Sequence, residues 1–180
     1  METQPESALA DLIRYNSWAN AQVLAACEAL PAEQLSATAP GAYGTIHRTL
    51  GHIIHAEADY VGRLTGNEPR PRFDWHSGPS VSEIRAFAEE VATALLDAIQ
   101  RTPPDHIVHE EEDGNTLDYK ARALFIQIIN HGIEHRTNIT TILSGLGLSA
   151  PEVDGWAYLF AHGDAFALKE TFAAGPDADH

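Results

Sequence analysis

Cysteine is almost absent: the 180 residues include a single one, Cys27. One thiol cannot close a disulfide within the chain or build a cysteine-rich zinc site. A reducing, cytoplasmic compartment is the simplest expectation. No apolar run approaches the roughly 20 residues that a membrane-spanning helix needs, so no membrane partner is expected. Residues 1–10 lack the basic and apolar stretches of a secretory signal, so none is expected there. Cations are scarce as well. Eleven Lys and Arg face 26 Asp and Glu, for a net charge of −15. A field of that sign repels phosphate backbones, which argues against a nucleic-acid partner and an anionic lipid surface. No internal repeat or low-complexity block is present.

Apolar residues make up 44% of the chain, and ten positions are histidine. The length predicts one domain over residues 1–174, followed by a disordered acidic tail at 175–180. Such a chain can bury a core without help from a disulfide or metal. Four segments carry apolar residues at helical spacing. The first spans about 7–30, with Leu9, Leu12, Ile13, Val23, Leu24 and Cys27, and Pro31 ends it. The second begins after Thr45, a good N-cap, and closes at Gly66-Asn67. The third opens on the capping box Ser80-Val81-Ser82-Glu83 and stops at Pro103-Pro104. The fourth spans about 120–143, with Leu124, Phe125, Ile128, Ile133, Ile139 and Ile142 as its apolar content. Before it, Ile107-Val108 and Leu117-Tyr119 flank Asp113-Gly114-Asn115, which predicts a small hairpin. A short helix is expected within 152–162. The fold class is therefore all-α, a four-helix bundle with one additional helix and a hairpin before the fourth long helix.

The chemistry concentrates in the fourth segment, which reads Asn130-His131-Gly132-Ile133-Glu134-His135-Arg136. Positions four apart on a helix lie about 40° apart around its axis, so His131 and His135 share a face. Two imidazoles one turn apart can share a metal ion. Burying that face would leave them unsatisfied unless a metal or water met them. A third ligand must come from elsewhere. The second segment offers His47, His52 and His55, and spacing does not choose among them. Asp59 lies on the His52 side and is a candidate to orient it. Glu134 flanks the ligand face and is the candidate catalytic base. Cys27 falls in an apolar stripe and reads as a core residue. His131 to His135 also matches H-x-x-E-H, the inverted zinc-peptidase pattern. Such peptidases take a glutamate well downstream as third ligand.

Tyr15-Asn16-Ser17-Trp18-Ala19-Asn20, Thr45 to Glu57 with His47, His52 and His55, Asn130 to Arg136, and Pro151 to Leu159 with Asp154 occur in this order. Together, over about residues 9–160, they resemble the DinB/YfiT-like superfamily of metal-dependent proteins. The resemblance implies an up-down-down-up bundle, often a homodimer, with His52, His131 and His135 as metal ligands. It implies zinc or nickel with water at the open positions. It also implies either a thiol-dependent transferase, with a low-molecular-weight thiol as cosubstrate, or a hydrolase, acting on a small-molecule substrate. A non-enzymatic metal-binding or stress-associated dimer is the alternative.

Overall fold

A computed structural model of the chain describes residues 7–112 and 114–163. Helices α1 (Ala8–Glu28), α2 (Ala32–Leu35) and α3 (Ile46–Thr65) are followed by α4 (Val81–Arg101), α5 (Arg122–Gly145) and α6 (Gly155–His162). Strands β1 (Ile107–Glu112) and β2 (Asn115–Lys120) lie between α4 and α5. The expected tail at 175–180 and Asp113 of the expected turn lie outside the described residues.

The helix ends follow the local chemistry. Ser7 Oγ accepts from the Ala10 amide, and Thr45 Oγ1 accepts from that of Arg48. Ser80 and Glu83 form the reciprocal capping box. Gly66 closes α3 at φ 74°, a left-handed conformation that favours glycine. Two elements were not expected, the single-turn α2 and a 3-10 turn at Trp75–Ser77. Both are too short to carry a hydrophobic period. The hairpin is longer than its sequence signal, and its strands pair from Ile107 with Lys120 to Glu112 with Asn115.

Two apolar clusters fix the topology. One joins Val23, Leu24 and Cys27 of α1 to Ile46, Leu50 and Ile54 of α3, Ile84 and Phe87 of α4, and Ile139 and Leu143 of α5. The other joins Ile13, Val61, Leu64, Leu95, Ile99, Leu124 and Ile128. The end of α1 thus meets the starts of α3 and α4 and the end of α5. Helices α3 and α4 are therefore parallel to each other and antiparallel to α1 and α5, which is an up-down-down-up bundle. Parallel neighbours need a connection that runs back along the bundle, and residues 66–80 supply it. Trp75 packs on α3 where Gly51 has no side chain; a Cβ there would meet the indole at 3.3 Å. His47 Nε2 contacts the Pro79 carbonyl at 2.6 Å, tying the start of α4 to the start of α3. Each fully buried Leu, Ile or Phe contributes about 1.5–3 kcal/mol. No described helix is long and apolar enough to cross a membrane.

Candidate metal centre

Between the two apolar clusters lies a buried polar layer. Asn16 and Asn20 of α1, Glu57 of α3 and Arg136 of α5 are all at most 4% exposed. Glu57 Oε1 accepts from Asn16 Nδ2 at 2.7 Å and from Asn20 Nδ2 at 2.8 Å. Arg136 Nη1 donates to Asn16 Oδ1 at 2.8 Å and to Asn20 Oδ1 at 2.7 Å. The two amides thus stand between carboxylate and guanidinium and answer both charges. Burial pushes the Glu57 carboxyl up, against the two amide hydrogen bonds and Arg136, which pull it down. Gly132 makes this layer feasible, since a Cβ there would fall 2.2 Å from Asn16 Oδ1 and 2.6 Å from Arg136 Nη1. The layer ties α1 and α3 to α5 next to the His131/His135 pair.

Against this layer the histidines converge. His131 and His135 project from one face of α5, and His52 meets them from α3. One ring nitrogen from each of the three lies within 4.8 Å of the others. His52 Nε2 and His131 Nε2 are 2.9 Å apart. Burial, and then the neighbouring His135 and His52, push His131 down to about 4. Burial also lowers His52 and His135, while the charge of Glu134 partly offsets it at His135. The shifts favour the neutral form of all three rings, which is the form that coordinates a metal. His131 Nδ1 and His135 Nδ1 are buried without a hydrogen-bond partner. Buried ring nitrogens without a partner are uncommon and mark a polar site rather than packed core. Three convergent neutral imidazoles are a donor set suited to zinc or nickel, so the residues fit a divalent transition metal.

Of the three histidines that spacing left open in α3, the structure brings His52 to the pair. His47 is engaged with Pro79. His55 turns edge-on to Trp75, with ring centroids 5.5 Å apart. Asp59 does not orient His52: its Oδ2 accepts from Arg63 Nε at 2.7 Å. The ring partner of His52 outside the cluster is Tyr43, whose Oη lies 3.2 Å from His52 Nδ1. Glu134 is exposed beside His135 and is not part of the three-residue group. Among the described residues, no glutamate downstream of His135 joins the pair as the peptidase pattern requires. Cys27 is fully buried, and burial pushes its thiol up to about 11, which makes it inert.

A cleft of about 680 Å³ opens beside His52 and His131, walled by α3, α5 and the hairpin. That volume suits a small molecule. Leu124 and Leu117 give it an apolar side. At another part of the wall Arg63 pairs with Asp59 and with Glu110, the latter at 2.6 Å, and Tyr119 donates to Glu110. The hairpin therefore does more than connect helices.

Sequence reasoning passed over the polar layer and Tyr43. The layer had a signal: Asn16 and Asn20 fall between Ile13 and Val23 on one helical stripe, so two amides sit where core residues belong. Tyr43 had none, because a loop has no period from which to read a facing side.

The sequence profile of the DinB family matches residues 1–170. The chain is 22% identical over 170 residues to Protein DinB of Bacillus subtilis (strain 168), covering 83% of this chain and 92% of that protein. Its fold is similar to the crystal structure of a DinB-like protein from Bacillus cereus ATCC 10987. That likeness has a TM-score of 0.61 at 24% identity, over 81% of this chain and 95% of the other.

Proposed function

The chain belongs to the DinB family, and on that footing we propose that it is a metal-dependent enzyme whose divalent ion is held by His52, His131 and His135. One observation carries the reading: three nitrogen donors converge, and two of them, on His52 and His131, border a small-molecule cleft. Among the described residues no fourth His, Cys, Asp or Glu completes the group. A structural zinc site is closed by four protein ligands, whereas a catalytic one keeps a position open. Zinc or nickel suits the donor set. Such an ion supplies Lewis acidity toward a water or thiol.

The chain's own residues define the rest. Three uncharged ligands leave the charge of the ion uncompensated, which favours an anionic group such as a thiolate. Cys27 is sealed in the core, so a thiol must arrive as a low-molecular-weight cosubstrate. The cleft binds the small-molecule substrate, with Leu117 and Leu124 against its apolar part and the Asp59–Arg63–Glu110 group against its polar part. Glu134, exposed beside His135, is the candidate proton acceptor on the solvent side. The reaction class is a thiol-dependent transfer or a hydrolysis. Trp156 and Phe160 on α6 are 69% and 57% exposed, apolar side chains that suit a second copy of the chain in a homodimer. The reduced, buried thiol suits the cytoplasm.

The test is turnover by metal-loaded protein against a panel of electrophiles, with small thiols or water as the nucleophile, for wild type and His131→Ala side by side. The reading expects consumption that depends on both the metal and His131. Equal rates in the two proteins would mark an uncatalysed background. Silence across the panel with metal bound would leave a non-enzymatic metal-binding protein.

A further inference from the structure

We infer that Tyr43 is a positioning residue of the metal centre: its hydroxyl orients His52, and its ring shutters one edge of the cluster so that ligands exchange through the cleft. The inference rests on the three-histidine reading above.

Tyr43 sits in the loop between α2 and α3, and that loop is fastened to the ligand helix. Its backbone N–H donates to Asn138 Oδ1 at 2.7 Å, and Asn138 Nδ2 donates to the Glu134 carbonyl at 2.8 Å. The Tyr43 ring stacks on His52, with centroids 4.1 Å apart and planes 17° apart. It meets His135 edge-on at 4.9 Å. The Arg48 guanidinium lies 5.1 Å from the Tyr43 centroid and adds a cation contact to the ring.

The hydroxyl contact has a chemical consequence. His52 turns Nε2 into the cluster, toward His131 Nε2 at 2.9 Å. An imidazole that gives its Nε2 lone pair to a metal keeps its proton on Nδ1. At His52 that nitrogen has Tyr43 Oη as its partner at 3.2 Å. At His131 and His135 the buried Nδ1 atoms have no partner. His52 is thus the ligand of the three whose Nδ1 has a hydrogen-bond partner outside the cluster. It is also the one supplied by a separate helix, so its ring angle sets how the α3 and α5 donors meet.

The ring contact has a spatial consequence. The cleft is bordered by His52 and His131, whereas Tyr43 covers the edge between His52 and His135. An incoming ligand therefore reaches the centre from the substrate side, while solvent on the other side meets a phenol ring.

Two variants separate these roles, Tyr43→Phe, which removes only Oη, and Tyr43→Ala, which removes the ring as well. The readouts are zinc affinity by chelator competition, the absorption spectrum of the Co²⁺ form, the rate of zinc release into excess chelator, and melting of the metal-free protein. Outer partners of metal-ligating histidines typically contribute 10–100-fold in affinity, so Tyr43→Phe should bind zinc about tenfold more weakly. Its Co²⁺ spectrum should shift while the metal-free melting temperature stays that of wild type. Tyr43→Ala should release zinc faster than Tyr43→Phe. Wild-type affinity and spectrum in Tyr43→Phe would overturn the orienting role, and equal release rates in the two variants would overturn the shutter. A lowered metal-free melting temperature in Tyr43→Phe would assign the residue to the fold instead. Failure of wild type itself to bind zinc would remove the metal reading and this inference with it, an outcome distinct from all the others.

Discussion

Replacing Gly132 with alanine sets helix propensity against the buried polar layer. Alanine in a helix interior is favoured over glycine by roughly 1 kcal/mol, so propensity alone predicts a more stable protein. The layer predicts the reverse. The new Cβ would lie 2.2 Å from Asn16 Oδ1 and 2.6 Å from Arg136 Nη1, both closer than atoms can stand. Asn16 must withdraw, and with it go the bond from Arg136 Nη1 at 2.8 Å and the bond to Glu57 Oε1 at 2.7 Å. Hydrogen bonds to charged groups are worth about 1.5–3 kcal/mol each. Two of them, offset by the propensity gain and partial relaxation, leave a net loss of about 2–4 kcal/mol. At about 2–4 °C per kcal/mol for a chain of this size, melting should fall by about 4–16 °C. Urea and thermal unfolding followed by circular dichroism measure it. Gly145→Ala on the same helix is the control, since nothing lies within 4 Å of that position. In an Asn16→Ala background the penalty at 132 should shrink, because the two sites share one clash. Stability equal to or above wild type in Gly132→Ala would refute the role given to the layer.

Three further outcomes follow. Glu57→Ala leaves Arg136 buried without its counter-charge and should cost about 3–5 kcal/mol, read as a lower urea midpoint. The His131 imidazole is held down to about 4 against 6.5 for a free histidine, so the unfolded chain takes up this proton first as pH falls. The metal-free fold should keep this contribution in full above pH 6.5 and lose it between pH 6.5 and about 4. The loss should reach at most about 3 kcal/mol. Glu57, pushed up by burial, acts in the opposite sense, so the effect is read as the difference between wild type and His131→Gln across that window. Chelation of metal-loaded protein should lower the melting temperature and leave the helical dichroism, because both apolar clusters form without the ion; loss of helix in excess chelator would make the metal structural.

The helices were legible in the sequence because their signals are local. Thr45, Ser80 with Glu83 and Gly66 cap by contacts within three or four residues. Likewise His131 and His135 share a face by spacing alone. What depends on neighbouring helices was not legible in the same way. Spacing left His47, His52 and His55 equivalent; the family resemblance pointed to His52, and the packing of α3 on α5 brings that residue to the pair. Leu12 and Ile133 were read as apolar-stripe residues, yet they are 46% and 45% exposed. Each sits at the edge of a helix face, where periodicity cannot say how far a neighbour reaches. Asp59 shares a helix side with His52, but the Arg63 guanidinium one turn away takes its carboxylate. Tyr43 and the hairpin wall of the cleft arise from segments with no helical period, so their approach to the histidines becomes visible only in three dimensions.

The most direct test of the metal centre is calorimetric titration of the metal-free protein with Zn²⁺, for wild type and for single alanine variants at His47, His52, His55, His131 and His135. Wild type should bind one zinc per chain, retained in the His47 and His55 variants and lost or strongly weakened in the other three. Zinc binding that survives His52→Ala but fails in His55→Ala, or a wild type that takes up no metal, would contradict it.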